Sequence, residues 1–420
     1  MEIISDLHIH SKYSRACSKD INFFNLEKYA KIKGVSLLGT GDFQHPKHFM
    51  DIERELEEDE YGILWTKNKF PFIWQTEISL MYSQDGKGRR IHYVVLAPNK
   101  DVVKQIIDAL SKKGRLDYDG RPIFGFSSIE MIDMFNSISN EIEVIPAHCM
   151  TSWFGIFGSK TGFDNVEECF KEKSKYIHAI ETGMSADPYM LRRVSKFDKY
   201  NLVSFSDIHS FWPWRLGREI TVFDCNLKYK DILKAIRTGE GLKKTIETFP
   251  AYGKYHFDGH RNCGISLSPE QTRKLRGICP KCGNELTIGV EYRIEELADR
   301  EKPKLDREYV DLIPLSELIG FVYDIKQMTS KKIWGVYNKL IKEFNNEFNI
   351  LMDVNEKDLL NVADKKMVDV IMNCRRGNLN IKPGYDGIYG VIVDGDKTKV
   401  DEKNKDYQPY KKEQRSLSDF

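Results

Sequence analysis

The chain has 420 residues, enough for two or three domains at roughly 150 residues each, so one large catalytic body with accessory modules is expected. Hydrophobic residues make up 41% and charged residues 30%, and no apolar run nears the ~18 residues of a spanning helix, so a soluble cytoplasmic protein with no membrane partner is expected. A net charge of +1 decides nothing about nucleic acid, because such partners respond to local patches.

The chain opens on Asp6-Leu7-His8-Ile9-His10, which reads as a strand with His8 and His10 on one face. A cleaved leader is not expected, since it would remove these residues. Asn25 is expected to cap a helix in which Leu26, Tyr29 and Ala30 share a face and which Gly34 closes. A strand at 35–38 then delivers Gly39-Thr40-Gly41-Asp42. Further strands are expected at 72–77, 91–96, 144–145, 176–180 and 202–205, which makes residues 1–225 an α/β unit with a largely parallel sheet. Residues 226–250 read as a connector containing a helix, and 251–300 as a compact module with cysteines. Residues 301–394 read as a helical domain, with Trp334, Tyr337, Leu340, Ile341, Phe344 and Phe348 at helical spacing. Gly384, Gly387 and Gly390 mark tight turns, suited either to a plain hairpin or to close approach of a phosphate. The polar stretch 395–420 is expected to be a flexible tail.

Taken in order, the strand ends carry His8 and His10, Asp42 with His45, Glu77, His148, Glu181, and Asp207 with His209. Singly, each reads equally well as a satisfied histidine or a capping acid. Jointly they suggest a barrel mouth at which ligands distant in sequence converge. His92 fits only if the turn at 84–89 reverses its strand. Mixed imidazoles and carboxylates suit zinc, manganese or iron better than a purely magnesium site. Two or three such ions ~3.5–4 Å apart would clamp a phosphodiester, with Glu77 as the bridging carboxylate.

His260-Arg261-Asn262-Cys263-Gly264 and Cys279-Pro280-Lys281-Cys282-Gly283 form two ligand-x-x-Cys-Gly turns, the four ligands of a structural zinc site. His256 competes with His260 as the fourth ligand, and a redox pair at Cys279 and Cys282 is the alternative. Arg261, Arg273, Lys274, Arg276 and Lys281 around them form either a surface for a DNA backbone or a solvated face. Two aromatic loops, with Trp153 and Phe154 after His148 and with Trp212 and Trp214 after His209, would either stack on an extruded base or pack beneath the loops.

The runs Asp6 to His10, Gly39 to Phe43, Thr76-Glu77, Pro146 to His148 and Ser206 to His209 resemble the motifs of the PHP (polymerase and histidinol phosphatase) superfamily. The resemblance implies a distorted (β/α)7 barrel with a phosphoesterase site holding two or three metals. In it His8, His10, Glu77 and Asp207 hold one ion and carry the chemistry, Glu77, His92 and His148 hold a second, and Asp42 and His209 bind a third. The chain departs from many relatives by having Ser14-Arg15-Ala16 and Asp42 where they carry histidines, so the third ion is the least secure.

The barrel followed by Tyr255 to Cys263, the Cys279/Cys282 knuckle, Leu286 to Val290 and Glu296 to Arg300 resembles the archaeal endonuclease Q family. That resemblance implies metal-dependent nicking of damaged DNA, double- or single-stranded, on the 5′ side of uracil, hypoxanthine, xanthine and abasic sites. Zinc in the module and at the active site, with Mg²⁺ or Mn²⁺ supporting activity, is the corresponding cofactor expectation. Gln414, Leu417 and Phe420 have the spacing of a peptide that docks on the sliding clamp. The competing functions are a PHP phosphoesterase acting on DNA ends or small phosphate esters, and a DNA-binding adaptor with a degenerate barrel.

Overall fold

The computed structural model describes residues 2–393. Gln414, Leu417 and Phe420 lie outside the described residues. The strand Glu2–Asp6 runs parallel to Leu37–Gly39, which runs parallel to Pro71–Gln84. At Asp85-Gly86, where φ is 53° and 73°, a hairpin turn with two left-handed residues sends the chain back as the antiparallel strand Lys87–Ala97. The reversal places Ser79 opposite His92, two residues from Glu77. Glu143–Pro146 pairs antiparallel with the returning strand, and Ala179–Glu181 pairs parallel with Asn201–Val203. A parallel bridge between Ile9 and Ile208 closes the ring, and the buried Asp6 carboxylate accepts from the Ser206 and Gly217 amides. The result is a distorted α/β barrel in which Lys87–Ala97 and Ile220–Asp224, the latter antiparallel to Glu2–Asp6, run against the parallel strands.

Residues 226–250 do more than connect. After the helix Tyr229–Thr238 they form the strand Leu242–Thr248, antiparallel to Ile220–Asp224 and parallel to Glu308–Leu312. The barrel's sheet therefore takes strands from both sides of the cysteine module. Beyond it, helices Leu315–Val322, Lys331–Phe344, Glu356–Val362 and Lys365–Arg375 form the helical region. They are tied to the barrel by Lys33, whose buried ammonium donates to Glu347 (2.6 Å) and to the Pro213 carbonyl (2.8 Å). Glu347 also accepts from the Leu315 amide and the Tyr337 hydroxyl.

One local expectation changes and another holds. The cap of helix Phe23–Lys33 is Asn22, whose side chain accepts from the amide of Asn25, so Asn25 lies one turn inside. The glycines at 384, 387 and 390 lie in the expected hairpin, which joins Ile381–Lys382 antiparallel to Val391–Ile392, and Gly384 and Gly390 pack it against residues 251–253. The amides of Gly384 and Gly390 donate to the Ala251 and Tyr252 carbonyls, and a side chain at Gly384 would strike the Gly253 carbonyl. Only glycine lets these two backbones approach so closely.

Glu219 and Glu247 are both fully buried and face one another across the sheet. Burial pushes Glu247 up to about 8, against hydrogen bonds from Ser204 and Thr182, and burial with the nearby Glu247 also raises Glu219. The folded chain thus holds protons that the unfolded chain releases above its ordinary carboxyl range. The stability this contributes is complete below about pH 4.5 and is lost as pH rises through about 8. Melting temperatures measured from pH 5 to 9 are expected to fall, with Glu247→Gln flattening the decline. A parallel decline in the variant would exclude this pair as its source.

Candidate metal centre

Three residues of the mouth sit in strained backbone. Asp42, His148 and Asp207 all have positive φ, at 37°, 32° and 48°, a region that non-glycine residues enter at some energetic cost. With His8 and His10, which follow the strand Glu2–Asp6 on either side of the bridged Ile9, and with the strand residues Glu77 and His92, they line one mouth. Ligand atoms of His8, His10, Glu77 and Asp207 fall within 4.8 Å of one another, and so do those of Glu77, His92 and His148. Glu77 belongs to both groups. Its Oε1 lies 2.8 Å from His92 Nδ1 and 3.3 Å from His148 Nε2, and its Oε2 lies 3.0 Å from His10 Nε2.

Around these residues a second set fixes the imidazoles. His8 Nδ1 lies 2.9 Å from Glu181, and His10 Nδ1 lies 2.9 Å from Asp42. Each carboxylate accepts from an Nδ1–H, the tautomer that turns the Nε2 lone pair toward the centre as a cation needs. Among the described residues His8 Nε2, His10 Nε2 and Asp207 Oδ1 are buried without a hydrogen-bond partner. Buried polar atoms are seldom left so, and three aimed at one point suit cations.

Electrostatics points the same way. Burial opposes charge on His8, yet Glu181 and Glu77 lift it well above the imidazole range, as Asp42 does for the buried His10. Burial favours a neutral Glu77, but His92, Arg121 and His8 hold it well below the carboxylate range; His209 and His10 do the same for the buried Asp207. The centre calls for positive charge that cations would supply. Burial takes His92 down to about 4, against the pull of Glu77.

Several expected roles change. Asp42 and His209, expected around a third ion, fall in neither ligand group found among the described residues, and Asp42 is engaged by its neighbours. Its two oxygens accept four hydrogen bonds, from His10 Nδ1, the Ser11 amide and hydroxyl, and the Ser14 hydroxyl, so the serine that stands in a histidine's place helps turn Asp42 into an orienting group. His209 packs 4.9 Å from the His10 ring, with Nδ1 3.6 Å from Asp207 Oδ1. His45 stacks on Tyr13 at 4.6 Å and begins the helix Pro46–Glu55. Trp212 and Trp214 stack on each other and pack against Tyr29 and Trp334, with Trp214 only 9% exposed and Trp212 partly buried, the packed alternative of the two readings. Phe154 covers His92 at 4.3 Å, whereas Trp153 is exposed beside Arg90. Sequence reasoning passed over Arg121, which donates to Glu77 Oε2 at 2.9 Å and lies on a loop with no periodicity to mark it.

The cysteine module gathers His260, Cys263, Cys279 and Cys282 within 4.8 Å, with Cys282 Sγ 3.2 Å from His260 Nδ1. His256 lies apart, buried 4.0 Å from Glu291, and is not in this group. Although burial opposes it, the Lys281 and Cys282 amides bring Cys279 down to about 6, into the thiolate form that a cation requires. The module grips the barrel through Ile288, whose carbonyl accepts from Ser152 and Ser159 in the loop after His148, and through Arg293, which donates to the Phe157 carbonyl of that loop.

A family model described as the MJ0043 C-terminal domain matches residues 314–378, in the helical region. The Methanocaldococcus jannaschii protein MJ0043 is 31% identical over 342 residues; the match covers 77% of this chain but only 41% of that protein. The lesion-specific endonuclease PfuEndoQ from Pyrococcus furiosus superposes with a TM-score of 0.83 at 29% identity, covering 96% of this chain and 99% of that one. Endonuclease Q solved with a 27-mer duplex carrying an abasic lesion at its active site gives a TM-score of 0.85 at 30% identity, covering 95% of this chain and 98% of the other. From the strands that open the barrel through the cysteine module to the helical region, the chain belongs to the endonuclease Q family.

Proposed function

We propose that this protein is a cytoplasmic DNA-repair endonuclease. It hydrolyses the phosphodiester 5′ of deaminated bases (uracil, hypoxanthine, xanthine) and of abasic sites and leaves 3′-hydroxyl and 5′-phosphate ends. The observation that carries the reading is the pair of ligand groups joined at Glu77, at the mouth of a barrel built like a lesion-processing endonuclease. When bound, two cations would activate water, neutralise the departing oxygen and hold the phosphate between them. His8, His10, Glu77 and Asp207 would hold one, and Glu77, His92 and His148 the other. Glu181 and Asp42 keep the protons of His8 and His10 on Nδ1, so both rings present lone pairs without rearrangement. A zinc ion on His260, Cys263, Cys279 and Cys282 would hold the module closed.

Labelled duplexes with a single uracil, hypoxanthine or abasic site, incubated with Mg²⁺, Mn²⁺ or Zn²⁺, are expected to be incised 5′ of the lesion while undamaged controls survive. Intact lesion strands under every metal would reject the reading, and fast turnover of a small phosphomonoester in their place would favour a phosphoesterase. The sliding clamp is the proposed partner of the Gln414, Leu417 and Phe420 peptide. Removing residues 414–420 is expected to abolish clamp binding and leave cleavage of short duplexes unchanged; undiminished clamp affinity would reject that partner.

A further inference from the structure

Among the described residues, Arg121 is the one lysine or arginine whose side chain is ion-paired with a member of either ligand group: its Nη1 lies 2.9 Å from Glu77 Oε2. Glu77 is fully buried, whereas the Arg121 side chain is 27% exposed, so the guanidinium spans from the buried carboxylate to the open mouth. A guanidinium carries five N–H donors, and among the described residues Nε and Nη2 of Arg121 make no hydrogen bond. Donors left over at the edge of an acidic mouth face the direction from which an anion must come.

The loop is built to hold this side chain in place. The Gly120 carbonyl accepts from the Gln44 side chain, and Asp119 accepts from the amides of Arg121 (3.1 Å) and Arg15 (3.3 Å). A side chain at position 120 would run into Ser14 Oγ and the Asp42 carboxylate, so the loop lies directly on the residues that orient His10. Arg121 is therefore fixed relative to the ligands before any substrate arrives.

We infer that Arg121 is a catalytic residue of the proposed nuclease. While one nitrogen stays on Glu77, the free nitrogens grip a non-bridging oxygen of the scissile phosphate. In the hydrolysis a water oxygen bonds to phosphorus as the P–O3′ bond breaks, and the departing O3′ takes up a proton. Negative charge gathers on the non-bridging oxygens, where a planar two-pronged donor binds it better than the compact ammonium of lysine does. The inference rests on the nuclease reading and adds to it how the phosphate is held.

The test compares wild type, Arg121→Ala and Arg121→Lys as full-length, metal-loaded proteins on a duplex with one abasic site. Arg121→Ala is expected to lower the single-turnover incision rate by roughly 10²–10³-fold, with duplex Kd and bound metal within about threefold of wild type. Arg121→Lys should fall between the two, and added guanidinium should restore part of the alanine variant's rate. An Arg121→Ala rate within about tenfold of wild type would overturn the inference and leave the nuclease reading standing. Rate loss in step with loss of metal, unrescued by guanidinium, would overturn it in favour of Arg121 merely holding Glu77. A wild type that cuts no lesion duplex would sink the nuclease reading and this inference together.

Discussion

Glu77→Gln is expected to cut the single-turnover incision rate by on the order of 10³-fold or more, about 4 kcal/mol of barrier at 1.36 kcal/mol per decade. Glu77 alone serves both ligand groups. An amide presents one oxygen where the carboxylate presents two, so a single substitution impairs both positions together. It also removes the charge that balances Arg121 and the surrounding imidazoles. DNA contacts elsewhere are untouched, so affinity for a lesion duplex should persist. Stopped-time cleavage, fluorescence anisotropy and metal analysis on the same preparation would check this. Incision within tenfold of wild type would reject Glu77 as the shared ligand, and joint loss of folding and binding would point to collapse of the mouth.

Lys33→Met is expected to destabilise the protein by roughly 3–5 kcal/mol, because it leaves a buried carboxylate without its cation. Lys33 is 1–2% exposed and Glu347 fully buried, so water can replace neither partner. The Leu315 amide and Tyr337 hydroxyl would still reach Glu347, but neither brings positive charge. Adding Glu347→Gln should recover part of the loss, since the remaining donors satisfy a neutral amide. Denaturant midpoints for both variants decide the matter. A change under about 1 kcal/mol for Lys33→Met would mean that the joint does not depend on charge.

What the sequence disclosed and what it hid have separate physical origins. His8 and His10 were legible from their alternation about Ile9, although the strand itself ends at Asp6 and only Ile9 is bridged, and the two knuckles because their spacing carries the geometry. Glu77, His148 and Asp207 followed from ending short apolar runs. The role of Asp42 was hidden, since it depends on hydroxyls of Ser11 and Ser14 whose direction no pattern encodes. Trp212 and Trp214 resembled an exposed aromatic platform because Trp334, which they pack against, lies far along the chain. The strand at 242–248 was concealed by Lys243 and Lys244, which read as surface until the sheet places Leu242 and Ile246 inside. Arg121 lies in an irregular loop and became visible only once its distance to Glu77 was known.

The grip of Ile288 and Arg293 on the segment after His148 would make the two proposed metal sites, at the mouth and in the cysteine module, interdependent. Stripping the ion from the thiolates would let the finger slacken and release that segment, so His148 would wander from the mouth although no ligand there had been touched. Inactivation by a chelator would then be biphasic: a fast phase reversed by adding metal back, and a slow one reversed only after the finger has refolded.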